Sequence, residues 1–246
     1  MATEHEAHDG ATPSGGGQPG FAEVLAAAER LQRLLPATVL VGGSAAAAHA
    51  RHRVSFDDDH ALADLRERFA TILSALEEDG GWVTARIKPP VLILGSLDGI
   101  ETGIRQLRRR RALEVEELDV GGHRLRVPTL PEMLRVKAWM ALDRNATRDY
   151  LDVVALADRM GEEHAVDTLA VLDDYYADQR GETGARIVTQ VAKQLAEPLP
   201  YDRDDIDLGH YRELAARWRR WDNVADACRR LAWRLLDRAA TTGPAG

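Results

Sequence analysis

Apolar positions in the first patterned stretch fall at helical spacing. Val24, Leu25, Ala28, Leu31 and Leu35 share one face and Pro36 closes the run, which predicts a helix over 21–35. A short apolar strand over 38–41 and a small-residue helix over 44–50 should follow. After an acidic stretch, Leu62, Leu65, Phe69, Ile72 and Leu76 mark a second amphipathic helix that begins near Ala61 and ends at Gly80-Gly81. The period then shortens. Segments 82–87, 91–94, 99–107, 113–120 and 123–127 are bounded by Pro or Gly and read as strands, with Gly121-Gly122 as a hairpin turn. From Thr129 the pattern is helical again. Thr129 and Glu132 form a capping-box signature, with Pro131 in the first turn, where a missing N–H costs nothing. Helices are expected over 130–143, 147–160, 163–178, 184–195 and 211–238.

These elements imply an α+β fold: a short mixed or antiparallel sheet flanked by helices over 21–128, then a helical bundle over 129–246. Residues 1–20 are rich in Gly, Pro, Ser, His and acidic side chains without an apolar period, and are expected to be disordered. Their His5, His8 and Asp9 are weak grounds for a metal site.

Composition removes several classes. At 246 residues with 45% hydrophobic content the chain can bury a sizeable core. No apolar run reaches the roughly 18 residues of a membrane span, and the N-terminus lacks the basic-then-apolar order of a signal peptide, so a cytoplasmic location is expected. Cys228 is the single cysteine, which excludes an internal disulfide and a Cys-rich zinc site and suits a small buried apolar residue. A net charge of -8 argues against nonspecific coating of nucleic acid, which needs an excess of Lys and Arg facing phosphates. A local basic patch exists at Arg105 and Arg108 to Arg111; such runs serve equally as solvated loops or as guides for an anionic partner.

Candidate chemistry begins at Gly42-Gly43-Ser44. Two glycines let the backbone turn tightly, and the N–H groups that open the next helix point outward, as a triphosphate requires. By itself such a turn most often only joins a strand to a helix, and the Lys of a P-loop is absent. Asp57 and Asp59 follow. Residues two apart on an extended segment project to one side, so both carboxylates can reach one divalent cation while Asp58 faces away. An acidic, solvated lead into a helix is the plainer account of the same residues. In the helical half, Arg148, Asp149 and Asp152 lie on adjoining parts of one face, either as an exposed ion pair beside a solvated Lys137 or as a phosphate-binding lysine with an orienting carboxylate. His49, His52 and His60 flank the site and read as hydrogen-bonding residues rather than ligands. Trp139, Tyr175, Tyr176 and Trp218 read as core.

Taken in order, these pieces resemble the AbiEii/AbiGii-type toxin family, which includes the MenT-like nucleotidyltransferase toxins and a minimal polymerase-β-type fold. The shared order is Gly42-Gly43-Ser44, then Arg53-Val54-Ser55-Phe56-Asp57-Asp58-Asp59, then Lys137 on a helix, then Arg148-Asp149-Tyr150-Leu151-Asp152. The resemblance covers residues 39–160. It implies transfer of NMP from an NTP to a hydroxyl of a macromolecular acceptor such as tRNA, in a toxin with a cognate antitoxin. It implies magnesium, or manganese, on Asp57 and Asp59, with Lys137 and Asp152 completing the catalytic set. The implied nucleotide-binding residues are Gly42, Gly43, Ser44, Ser55, Lys137 and Arg148, with Ser55 and Arg53 also bracing the metal loop. Polymerase-β-type sites carry a third carboxylate on a neighbouring strand. Here Glu101 is the available acid, and Gly103 sits nearer the expected position. The alternative is an interaction module that keeps the fold, with or without the nucleotide, does no chemistry and acts through a partner protein.

Overall fold

The computed structural model describes residues 20–56, 58–180 and 184–241. The expected disordered tail with His5, His8 and Asp9 lies outside the described residues, as does Asp57. Helix α1 (Phe21–Leu34) opens where the Glu23 carboxylate accepts the Gly20 N–H at 2.7 Å, and it buries the predicted apolar face. Strand β1 (Val39–Leu40) leads directly into α2 (Gly42–Ala50), which starts at the glycine pair itself.

The acidic segment corrects the reading of the sequence. Asp58–Leu62 is a strand, β2, and the next helix, α3 (Leu65–Glu77), begins only at Leu65. Leu62 is buried in either arrangement, so apolar periodicity does not separate them. Pairing with a distant strand does, because it satisfies the backbone groups of 58–62 in extended form. That partner is β5 (Ile100–Gln106), which runs parallel to β2, and the sheet is completed by β3 (Trp82–Lys88) and β4 (Leu92–Leu97) in the order β1-β2-β5-β4-β3. All other pairings are antiparallel, so the sheet is mixed.

Alternation divides the sheet into two unlike faces. Leu62, Trp82, Ile93, Leu97 and Ile104 pack against Leu31, Leu65, Ile72 and Leu76 of α1 and α3. The opposite face carries Asp59, Leu94, Gly103 and Arg105, and its Val83, Arg86, Lys88, Glu101 and Arg105 remain exposed. One face of the sheet is therefore open beside Asp59.

Strands β6 (Val115–Val120) and β7 (His123–Pro128) form the predicted hairpin, and both turn glycines have positive φ. Helix α4 (Leu130–Asp143) is capped by Thr129, whose hydroxyl accepts the Glu132 N–H at 3.3 Å. The Glu132 carboxylate is drawn away from the cap to Arg109 and Arg135, so the expected box is half formed. Helix α5 (Thr147–Met160) matches its expected bounds.

Two helical expectations are corrected. The run over 163–178 breaks into α6 (Glu162–Ala170), α7 (Leu172–Tyr175) and a turn at Ala177–Gln179. Asp173 takes the Ile187 N–H at 2.7 Å and pairs with Arg180 and Arg186, which ties the break to the start of α8 (Ile187–Ala196). The last helix, α9, spans Trp221–Thr241 rather than starting at 211. Residues before it give their backbone groups to a loop: Ala215 N–H donates to the His52 carbonyl at 2.8 Å, and the Arg212 carbonyl accepts from Val54 at 2.9 Å. The largest core joins Leu25, Ala28 and Leu40 to Leu125, Val127, Met133, Tyr150, Leu151 and Cys228, and so runs through both the sheet region and the helical region.

Candidate nucleotide and metal site

Asp59 lies between two glycines. A Cβ placed on Gly42 would stand 3.1 Å from both Cβ and Oδ2 of Asp59, and one on Gly103 would stand 2.9 Å from Oδ1. Gly42 also has φ of +71°, a backbone state that L side chains avoid. Position 42 therefore needs glycine for its backbone, and Gly103 lets the strand lie close against the carboxylate. The register aligns Asp59 with Gly103, so the position where a third acid was expected has no side chain. Glu101 shares the face of Gly103 but is exposed. In place of an acid, Arg105 reaches Asp59, with Nε 3.4 Å from Oδ1.

Gly43 makes a second close approach. Its missing Cβ would be 2.5 Å from Ser55 Oγ and 2.7 Å from Arg53 Nη2, so these side chains rest on the start of α2. Arg53 is held from behind by Asp152 on α5, with Nε donating to Oδ1 at 3.0 Å and Nη2 to Oδ2 at 3.1 Å. Asp152 also accepts from His52 Nε2 at 2.7 Å and pairs with Lys137 Nζ at 2.6 Å. Lys137 lies 3.6 Å from Asp149, whose carboxylate takes Arg144 at 2.8 Å. Burial alone would raise the Asp152 carboxyl; Arg53, Lys137 and His52 outweigh it and hold the group well below the usual carboxylate range.

The structure brings several of the described predicted residues together. Gly42, Gly43, Ser55 and Asp59 meet at the mouth of α2, and Arg53 links them to Asp152 and Lys137. The exposed Arg148–Asp152 pair considered from the spacing does not form: Asp152 is buried and its partners come from elsewhere, while Arg148 is half-buried and forms no ion pair with a described residue. Lys137 is buried rather than solvated, and Ser44 has no exposed surface and is engaged within the protein. Asp58 faces away as expected, accepting from His60 Nε2 at 2.7 Å and from the Thr102 hydroxyl at 3.2 Å. All three flanking histidines are hydrogen-bonded within the protein; His49 Nε2 meets the Pro128 carbonyl at 2.8 Å.

Sequence reasoning placed His52 at the site as a hydrogen-bonding residue without naming Asp152 as its partner, and missed the contact of Arg105 with Asp59 and Tyr211, whose ring lies under the Arg53 guanidinium at 5.5 Å. Arg105 left a signal, as a charge two residues past Gly103 on the same face of a strand, and Tyr211 left none.

For a divalent cation, Asp59 is the described member of the expected pair. Its carboxylate is a hard oxygen donor, 31% exposed, in a cradle that a Cβ on either neighbouring glycine would fill. That donor chemistry fits Mg²⁺, which binds through one or two carboxylates and takes substrate phosphates for the rest. Among the described residues no group of three or more His, Cys, Asp or Glu side chains forms a fuller metal cage.

No family model matches the chain. Over 186 residues it is 32% identical to the heme uptake protein MmpL11 of Mycobacterium tuberculosis, the match taking in 73% of this chain and 17% of that one. Over 134 residues it is 30% identical to the mycolic acid-containing lipids exporter MmpL11 of Mycolicibacterium smegmatis, taking in 54% of this chain and 14% of that one. The chain thus spans less than a fifth of the curated relatives it matches. Among solved structures, a protein of H. pylori assigned as a nucleotidyltransferase aligns with a TM-score of 0.52 over 91% of this chain and 96% of that one, at 14% identity. The fold is accordingly nucleotidyltransferase-like: a mixed sheet flanked by helices, followed by a helical region.

Proposed function

We propose that this chain is a magnesium-dependent nucleotidyltransferase that moves NMP from an NTP to an acceptor hydroxyl, releasing pyrophosphate. The observation that carries the reading is the meeting of Gly42, Gly43, Ser55 and Asp59 with Arg53, which Asp152 and Lys137 hold from the helical region. Phosphates would lie against the N-terminus of α2, where helix N–H groups and the Arg53 guanidinium supply positive charge. Asp152 acts as a positioning residue: its two oxygens fix the plane of Arg53, and Lys137 keeps the buried carboxylate ionised. Lys137 offsets the charge of Asp152, which leaves the Arg53 guanidinium with net positive charge for the phosphates. Arg148, half-buried on α5, is the remaining candidate for direct phosphate contact. Magnesium held by Asp57 and Asp59 would polarise the α-phosphate and acidify the attacking hydroxyl. Positioning and electrostatics supply most of the rate.

The order of motifs shared with AbiEii-type toxins favours tRNA or another RNA as acceptor, and a cognate antitoxin as partner. The alternative, a nucleotide-binding interaction module without turnover, draws on Gly103 in place of a third acid and on the match to a segment of the much longer MmpL11 proteins. No helix of the described residues is long and apolar enough to cross a membrane.

Incubation with each labelled NTP, Mg²⁺ and total RNA separates the two readings. Transfer of label to RNA that drops by about a thousandfold or more in Asp59→Ala is the expected result, given the charge stabilisation lost with the metal ligand. NTP binding with no transfer to any acceptor supports the interaction module.

A further inference from the structure

Arg105 has a place in the site that no motif assigns. It lies on the open face of the sheet, two residues past Gly103, and is 51% exposed on its side chain. Its contact with Asp59 is long, at 3.4 Å through Nε alone, and it forms no other ion pair among the described residues. A Cβ at 103 would stand 2.9 Å from Asp59 Oδ1 but 4.0 Å from Arg105 Nε, an ordinary contact, so the glycine leaves room at the carboxylate oxygen that the guanidinium touches. The oxygen it touches, Oδ1, is also an oxygen through which Asp59 can bind a metal, so guanidinium and divalent cation compete for one donor.

Given the reading of Asp59 as a metal–nucleotide ligand, we propose that Arg105 is a displaceable counter-ion of Asp59 that moves to a phosphate of the nucleotide once a divalent cation takes the carboxylate. A cation arriving at Asp59 repels the guanidinium. A phosphate oxygen bound to that cation lies about 2.1 Å from it, which keeps the new anion within the sweep of the Arg105 side chain. Guanidinium–phosphate pairing is bidentate and charge-assisted, and so outweighs the long single contact it replaces. The movement disturbs no core packing, because the face is uncovered. Arg105 in this way supplies, to the substrate, part of the positive charge that a metal held by a third carboxylate would bring.

The test pairs two binding measurements on the full chain. Mn²⁺ alone, followed by the electron paramagnetic resonance of the free ion, should bind Arg105→Gln about two- to fivefold more tightly than the parent, as removal of a weak competing ion pair requires. Equilibrium dialysis with each labelled NTP and Mg²⁺ should show the same variant binding its nucleotide about tenfold more weakly, with Arg105→Lys recovering part of the loss. Opposite shifts in the two measurements distinguish exchange from a purely structural arginine, which would move both the same way or neither. Unchanged or weaker Mn²⁺ binding in Arg105→Gln, or unchanged NTP affinity, overturns the exchange while leaving the metal site standing. Mn²⁺ binding that persists in Asp59→Asn overturns the metal–nucleotide reading and the exchange with it. Arg105 is exposed enough that its replacement should leave the unfolding midpoint unaltered, which a thermal melt checks.

Discussion

Asp152 concentrates the electrostatics of the site in one residue. It is buried with Arg53, Lys137 and His52 around it, and its carboxyl is held well below the usual range although burial pushes the other way. A carboxylate with a depressed folded-state pKa contributes stability that is fully present above its unfolded value of about 3.9 and is lost as the pH falls through the folded value. Asp152→Asn should therefore lower stability by about 3–5 kcal/mol at neutral pH, because buried Arg53 loses the carboxylate it pairs with and Lys137 keeps only its 3.6 Å contact with Asp149. The deficit should shrink as the pH drops below about 3.9, where the parent protein loses the same contribution. Urea unfolding of both proteins from pH 7 to pH 2.5 measures this; a pH-independent deficit would contradict the assignment.

At the scale of elements, the arginine run after β5 is mainly a staple. Arg109 is buried, donates to the carbonyls of Arg111 at 2.9 Å and Ala112 at 3.0 Å, pairs with Glu132, and lies over the rings of Tyr175 and Tyr176 at 5.3 and 5.0 Å. Arg108 pairs with Asp143 at 2.8 Å, and the Arg110 N–H donates to Asp178 at 2.9 Å. The run thus fastens the connection between β5 and β6 to the helical region, and only part of its charge remains for an anionic acceptor. Arg109→Met, which keeps most of the volume, should cost about 3 kcal/mol by stripping Glu132 of a buried partner. Arg110→Ala, which leaves the backbone contact, should change stability by less than about 0.5 kcal/mol. Urea midpoints of the two variants provide the comparison.

At the scale of the whole molecule, the shared core makes Cys228 a reporter of global opening. It lies on α9 within the cluster that joins both regions, and burial pushes its thiol up to about 12. The thiolate is the reactive species, so a disulfide reagent at pH 8 should leave the native protein unlabelled. Labelling should rise with urea along the same curve as tryptophan fluorescence. Labelling that precedes the fluorescence change would mean that α9 opens separately from the rest.

The chain's own order determined whatever depends on near neighbours. Gly42 and Gly43 were legible as a tight turn between strand and helix, and Gly121-Gly122, the Thr129 cap and the alternation of Asp58 and Asp59 were legible because they follow from local geometry; the side chains of Asp59, Ser55 and Arg53 that close on the two glycines were not. Tertiary structure decided the partners. Helical spacing offered Arg148 to Asp152, yet Arg53 and His52 reach it from 99 and 100 residues away. The strand at Asp58–Leu62 and the contact of Arg105 with Asp59 exist because β5 pairs alongside β2, in a register that no local pattern encodes. Spacing defines the face a side chain occupies; what packs on that face, and so whether a charge is solvated, paired or poised for exchange, is fixed by residues that folding brings from far along the chain.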